Sequence, residues 1–355
     1  MENKVLHQFL MDVSKGDATS DHAFLIRGWL RDLGFESDIY GAVFDEKLGS
    51  EVRQFTPGSF TGQDLVIYHH TTGSTTLNHL IERRIALLLI YHNITPPDFF
   101  KKTDPAIANQ LVSGRQQLQE IQPFVRMALS ASPYSEEELR ELGFENTGVL
   151  PIVLNEAEYN VAIDKDFQSR LREGSPTLLF VGRLAPNKRQ EDLVKLLFYV
   201  RQIYPRARLV LVGGNTGEGY LRWLNYFIER NGLADAVTLT GHVTQQEMVT
   251  CYKSADLFVS MSEHEGFGKP LIESMFFNLP IMAYSAAAVP STLGGAGILF
   301  NRKEFEPLAE MVGILYEDPI LRQRVIDRQT RRLQTFLEPN IRQQFEGYLT
   351  QLNLL

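Results

Sequence analysis

The chain has a single cysteine in 355 residues, Cys251, and only two tryptophans. One cysteine excludes an intramolecular disulfide and any multi-cysteine metal site. The helical apolar pattern around Cys251 favours a buried thiol over a reactive one. Long apolar runs are also missing. The longest, Ile85 to Tyr91, is seven residues, against the roughly 20 needed to span a bilayer as a helix. The amino-terminal Met-Glu-Asn-Lys passes directly into Val-Leu-His-Gln-Phe-Leu, without the apolar core and cleavage site of a secretory signal. These absences lead to the expectation of a cytoplasmic protein. Positive charge is scarce in the first half: residues 1–158 carry 13 basic and 22 acidic side chains, whereas residues 159–355 carry 22 and 21. That balance argues against nucleic acid as a partner. It also argues against a broad electrostatic grip on anionic lipid, while leaving room for a local peripheral contact at the inner face of a membrane.

What is present is a regular alternation. The length implies two domains, and short apolar strands alternate with amphipathic helices in both halves, the pattern of parallel α/β architecture. In the first half the strands are expected near Val5–Phe9, Ser37–Ala42, Leu65–Tyr68, Ile85–Tyr91, Met127–Ser130 and Val149–Val153. Helices are expected over His22–Leu33, Thr76–Ile81, Pro105–Ile121 and Ser135–Leu142, the last with a capping box from Ser135 to Glu138. A polar stretch, Asn155 to Pro176, reads as a linker. In the second half strands are expected at Leu178–Val181, Leu209–Val212, Val237–Thr240, Leu257–Ser260, Pro280–Tyr284 and Gly297–Phe300, with helices between and after them. Two doubly wound sheets follow, each binding ligands beyond the carboxyl ends of its strands.

Five clusters fall just after strands of the second half or open its helices. Gly182-Arg183-Leu-Ala-Pro-Asn187-Lys188 joins a planar guanidinium to a mobile ammonium, which suits a diphosphate but is also compatible with two surface cations. Gly213-Gly214 lacks dinucleotide spacing and reads as a tight turn. Gly241-His242-Val243 ends a strand where backbone groups could meet a flat base. Ser285 to Pro290 is a small-residue turn. The most informative run is Glu265-Gly-Phe-Gly-Lys-Pro-Leu-Ile-Glu273. Pro270 is suited to start a helix, so one carboxylate lies in the loop and the other one turn into the helix, near an end that favours anions. Asp164-Lys165-Asp166 spells a metal-binding pattern, but in a polar linker it reads as a solvated turn. His69, His70, His79 and His92 lack zinc spacing, and no metal is required.

With these motifs in order, the chain resembles glycosyltransferase family 4, the retaining group with the GT-B fold. The resemblance covers essentially the whole chain and is densest from Leu178 to Phe300. It implies two Rossmann-like doubly wound domains facing across a cleft. Residues 1–158 would bind acceptor, residues 159–337 would bind the nucleotide-sugar donor, and a terminal helix in 338–355 would cross back to the first domain. It further implies that Arg183 and Lys188 hold the donor diphosphate, Glu265 the donor sugar and Glu273 the ribose, with the base contacted near Val243. Gly16 would approach the diphosphate, and His92 would sit beside the transferring sugar. His92, Glu265, Arg183 and Lys188 are then the catalytic set. Gly266, Phe267, Gly268, Lys269 and Leu271 join the donor-binding residues, although Lys269 stands where many relatives carry an apolar side chain. Asp17 and His70 are acceptor candidates, with helix capping the alternative for Asp17 and a satisfied strand-end group for His70.

The implied reaction moves a hexose, with mannose as the named candidate, from a nucleotide diphosphate sugar to a glycan or lipid-linked acceptor, as in bacterial surface-polysaccharide synthesis. Phe99-Phe100-Lys101-Lys102 would touch a lipid-linked acceptor or membrane, or else tuck its phenylalanines into the core. A GT-B phosphorylase, a nucleotide-sugar epimerase and a non-catalytic partner subunit are the alternatives. A dehydrogenase would need a glycine fingerprint that the chain lacks.

Overall fold

The structure is a computed structural model that describes residues 4–171, 173–215 and 217–355. It divides into two compact units. Unit 1 is Met1–Asp98, Pro105–Val153 and Glu338–Leu355, and unit 2 is Phe99–Asp104 and Leu154–Leu337. The chain thus passes between units at Asp98/Phe99, Asp104/Pro105, Val153/Leu154 and Leu337/Glu338.

Unit 1 runs β1 (Lys4–Val5), β2 (His7–Val13), α1 (Ala18–Asp32), β3 (Phe35–Glu36), β4 (Ile39–Phe44), β5 (Val52–Gln54), β6 (Leu65–His70), α2 (Leu77–Glu82), β7 (Ala86–Tyr91), α3 (Pro105–Ile121), β8 (Val125–Ser130), α4 (Pro133–Glu141) and β9 (Thr147–Val149). Seven strands form one parallel sheet in the order β5-β4-β2-β6-β7-β8-β9. Strand β7 explains the layering. Its side chains alternate between faces, so Leu87, Leu89 and Tyr91 join one core with Phe9 and Tyr68. Leu88 and Ile90 join the opposite core with Ile67, Trp29 and Phe345. Two helix starts differ from expectation. Helix α1 begins at Ala18 because the Asp17 carboxylate accepts from the Thr19 and Ser20 N–H groups. Helix α4 is capped by Ser132, whose hydroxyl accepts the Ser135 N–H, and Pro133 occupies its first turn, so the expected Ser135–Glu138 capping box is not the one used.

Unit 2 runs α5 (Lys165–Leu171), β10 (Thr177–Val181), α6 (Gln190–Ile203), β11 (Arg208–Val212), α7 (Glu218–Arg230), β12 (Val237–Gly241), α8 (Gln245–Ser254), β13 (Leu257–Ser260), α9 (Lys269–Phe276), β14 (Ile281–Tyr284), α10 (Val289–Leu293), β15 (Ile298–Phe300), α11 (Phe305–Glu317) and α12 (Pro319–Leu333). Its parallel sheet has the order β12-β11-β10-β13-β14-β15. The stretch expected as a linker contains a 3-10 turn, Glu156–Tyr159, and α5. Asp164 caps α5 by accepting the Phe167 N–H at 2.9 Å, an ordinary use of aspartate at a helix start. The expected turn Ser285–Pro290 leads into the short helix α10.

The closing helix α13 (Glu338–Gln351) belongs to unit 1. Trp29 Nε1 donates to Glu338 at 2.8 Å, and the Trp29 and Phe345 rings lie 5.9 Å apart. The Tyr348 hydroxyl donates to the Val149 carbonyl and accepts its N–H. Among the described residues no helix is long and apolar enough to cross a membrane.

One close approach of backbones in unit 1 gives a stability test. A Cβ at Gly114 on α3 would lie 2.6 Å from the Gly73 nitrogen and 2.9 Å from the Thr72 carbonyl carbon. Gly28 within α1 has nothing within 4 Å of the same position. Gly114→Ala is expected to destabilise by about 1–3 kcal/mol through overpacking, whereas Gly28→Ala should stabilise by about 0.5–1 kcal/mol through helix propensity. Urea unfolding of the two variants checks the contrast, and equal effects would contradict it.

Candidate functional site

The strand order of unit 2 reverses direction at the join of β10 and β13, where Leu178 pairs with Leu257 and Leu179 with Phe258. In an open parallel sheet this switch point is where a crevice opens beyond the strand ends. The loops that leave β10 and β13 are tied together there. The Asn187 side-chain amide donates to the His264 carbonyl at 3.1 Å, and the Asn187 carbonyl accepts the Glu263 N–H at 2.8 Å. This brace brings Lys188 Nζ to 2.6 Å from Glu265 Oε2, with both side chains largely buried. Arg183, from the same loop as Lys188, has no ion pair or hydrogen bond to its guanidinium among the described residues, while its carbonyl accepts from Gln190. A paired cation and an unpaired one therefore flank the switch point. The next two strand ends close the edge: Gly182 N–H donates to Val212, Leu184 N–H to Gly214 and Gly213 N–H to Gly241. Gly213 must be glycine, because its φ is +136° and a Cβ would fall 2.3 Å from the Gly182 oxygen. The tight-turn reading of this pair is the observed one. His242 fills the space above Gly214, where a Cβ would meet its Nε2 at 2.1 Å.

Glu273 is in a different environment from Glu265. It is buried in α9, and its two oxygens accept from the phenols of Tyr159 and Tyr252, each at 2.6 Å. Burial and the adjacent Glu273 carboxylate raise the Tyr252 phenol well above its usual range, so it stays protonated and donating. A carboxylate offers about four acceptor positions, so two remain for other donors. Gly268 takes a left-handed conformation (φ +91°) to turn the chain into α9, Phe267 is buried with its carbonyl accepting from Thr292, and Leu271 is buried. Val243 follows the end of β12. Phe100 is buried in the core and Phe99 is half-buried, packing near His264 within unit 2, with Lys101 and Lys102 exposed. Cys251 is buried, and burial pushes its thiol up to about 12.

In unit 1 the switch point is between β2 and β6. Gly16 (φ +82°) and Asp17 follow β2, His70 ends β6 and His92 follows β7, so all four stand at the carboxyl edge. Asp17 is the α1 cap. His70 is fully buried, its Nδ1 shared with the Tyr68 hydroxyl and its Nε2 with the Gly114 carbonyl. Both nitrogens are used inside the fold, which removes His70 from the acceptor candidates. His92 contacts His69 at 3.1 Å. Asn93 after it has φ +66°, and its amide nitrogen donates to Glu138, which also accepts from Tyr91 and pairs with Arg115. Three residues escaped the sequence reading: Tyr159 in the assumed linker, Tyr252 on α8 and Asn187 within the β10 loop. Only the fold brings the first two to Glu273. Among the described residues one group could offer three metal-ligand atoms, His7, Glu36 and Asp38. It lies at the amino ends of the strands. Asp38 is paired with Arg31 and Arg53, and its N–H donates to His7 Nδ1.

Two parallel doubly wound sheets with these edges make the fold GT-B. The Anabaena protein HepE, solved with UDP and glucose, superposes with a TM-score of 0.76 at 20% identity, covering 98% of this chain and 100% of that one. The family model of "Glycosyl transferases group 1" matches residues 162–332, nearly the whole of unit 2. Two curated relatives align over this region. A Xanthomonas campestris GDP-mannose:cellobiosyl-diphosphopolyprenol alpha-mannosyltransferase is 31% identical over 47% of this chain and 44% of its own length. A Mycobacterium tuberculosis GDP-mannose-dependent alpha-(1-6)-phosphatidylinositol monomannoside mannosyltransferase is 29% identical over 43% and 42%. The chain thus spans under half the length of these relatives.

Two measurements follow from the buried groups. Tyr159→Phe and Tyr252→Phe each remove a hydrogen bond to a carboxylate, and each is expected to cost about 1.5–3 kcal/mol in urea unfolding; an unchanged midpoint would contradict the pairing. Burial holds His69 well below its usual range, His70 at about 4 and His92 at about 3. The unfolded chain binds these protons first, so stability is full above about pH 6.5 and is lost as pH falls toward the folded values. Unfolding at pH 7.5 and 5 should show the lower stability at pH 5, and equal stability would contradict neutral buried imidazoles.

Proposed function

We propose that this protein is a retaining glycosyltransferase. It moves a hexose, mannose in particular, from a nucleotide diphosphate sugar to a glycan or lipid-linked acceptor of cell-surface polysaccharide, without a metal ion. The observation that carries this reading is the pairing of Lys188 with Glu265 beside Arg183, which has no ion-pair partner among the described residues, at the switch point of unit 2. Mannose and a lipid-linked acceptor are supported by the relatives' descriptions, which specify GDP-mannose with a diphosphopolyprenol or phosphatidylinositol acceptor.

Glycosyl transfer passes through an oxocarbenium-like state, while negative charge grows on the departing diphosphate. Arg183 would meet that charge directly. Lys188 would exchange part of its contact with Glu265 for the phosphates, and the start of α9 adds its dipole. Glu265, released toward the sugar, orients hydroxyls rather than attacking carbon. Glu273, already aligned by two phenols, uses its remaining acceptor positions for the ribose. The family resemblance gives His92 of unit 1 a place beside the transferring sugar.

A thermal-shift screen of guanosine, uridine and adenosine diphosphates, with and without a chelator, tests this reading. The guanosine nucleotide should give the largest shift and the chelator should not reduce it. The absence of a shift with any nucleotide would overturn the reading. Glu273→Gln should weaken nucleotide binding about tenfold, equivalent to 1.4 kcal/mol. Glu265→Ala should bind the bare nucleotide at least as well as the native chain, since it frees Lys188, while turnover falls about 10²-fold or more. Equal loss of nucleotide affinity in both variants would contradict the division of tasks.

A further inference from the structure

Unit 1 contains a chain of buried polar side chains that ends on His92, and its proton order can be read from one fixed point. Gln8 on β2 is fully buried, and its amide nitrogen donates to the Ala23 carbonyl at 2.9 Å. That bond sets the orientation of the amide, so Gln8 Oε1 is the end facing His69 Nε2, 2.9 Å away. An amide oxygen only accepts, so His69 carries its proton on Nε2. Burial, reinforced by His92 and His22, keeps His69 neutral, and a neutral imidazole has a single N–H. His69 Nδ1 therefore holds a lone pair. It lies 3.1 Å from His92 Nε2, with the two rings only 15° from coplanar, as an in-plane N–H···N bond requires. His92 must donate from Nε2. Its Nδ1 is left as an acceptor with no partner among the described residues and no exposure to solvent.

The loop that carries His92 is held from the other side. The left-handed Asn93 turns the chain, and its amide nitrogen donates to Glu138 at 3.0 Å. The Ile94 N–H donates to the Tyr91 hydroxyl, which itself donates to Glu138. Both the backbone and the ring of His92 are thus fixed. His70 on the neighbouring position has a similar ordering, but its chain runs from the Tyr68 hydroxyl to a backbone carbonyl and leaves no nitrogen over.

We propose that Gln8 and His69 are positioning residues that hold His92 in its Nε2–H tautomer, so that His92 meets a sugar hydroxyl only as a hydrogen-bond acceptor through Nδ1. The tautomer order stands on unit 1 alone; the hydroxyl partner rests on the glycosyltransferase reading. In this arrangement His92 cannot serve as a proton donor to the departing phosphate. It selects a ligand group that carries a hydrogen, such as a hydroxyl, over an ether oxygen at the same place.

The test uses the full chain with its histidines labelled with nitrogen-15, read by two-bond proton–nitrogen correlation at pH 7.5, with His92→Gln to assign the His92 signals. The native chain should show the Nε2–H pattern at His92. His69→Leu should turn that pattern into a mixture of tautomers. His69→Asn, whose side-chain oxygen replaces Nδ1 as acceptor, should retain it. In transfer assays His69→Leu should lower kcat about tenfold, the scale on which partners one layer out act on a histidine, with donor KM near native, and His69→Asn should recover most of the loss. A Nδ1–H pattern at His92 in the native chain, or no change in His69→Leu, would overturn the tautomer assignment. If the patterns follow the variants but His92→Gln has native kinetics, the place of His92 at the sugar is overturned while the tautomer order stands.

Discussion

Strand β10 pairs with β11 on one side and with β13 on the other, and the second pairing makes neighbours of two loops far apart in sequence. Everything distinctive about unit 2 depends on that join. Asn187 fastens the loops with one side-chain and one backbone hydrogen bond. Lys188 and Glu265 can then meet at 2.6 Å in a partly shielded position where a stray charge would be costly. The pair compensates each partner's charge there.

The same geometry separates the two glutamates of the motif. Glu265 lies in a loop against a cation, so its partner can change. Glu273 lies within a helix, buried, and is held by the phenols of Tyr159 and Tyr252, the second kept protonated by burial and by the carboxylate itself. One carboxylate is suited to rearrangement during a reaction and the other to rigid recognition. Unit 1 uses a related device at its own strand ends, where buried imidazoles are kept neutral and ordered by donors and acceptors of fixed direction.

Much of this was legible in the sequence because parallel strands declare themselves as short apolar runs and because the candidate site residues follow their carboxyl ends. Pro105–Ile121 and Leu257–Ser260 match the observed elements at both ends. Helix starts were less legible. Ser132 and Ser135 are both plausible caps, and the choice depends on Pro133 fitting the first turn. The short strands β3 and β5 carry too few residues to show a period. The partners of Glu273 were hidden for a different reason: Tyr159 lies in a polar stretch without periodicity, and Tyr252 looks like one more apolar position of α8. The role of Gln8 was equally hidden, since a lone glutamine in a strand has no signal until its neighbours across the sheet are known.

The central claim is that the β10–β13 join forms a nucleotide-sugar site with separate tasks for its two acids. A crystal structure with bound guanosine diphosphate addresses it most directly. The account predicts the diphosphate between Arg183 and Lys188, with Lys188 shifted away from Glu265 and the ribose hydroxyls within hydrogen-bond distance of Glu273. A nucleotide bound elsewhere, or one that leaves the Lys188–Glu265 pair intact and does not contact Arg183, would contradict it.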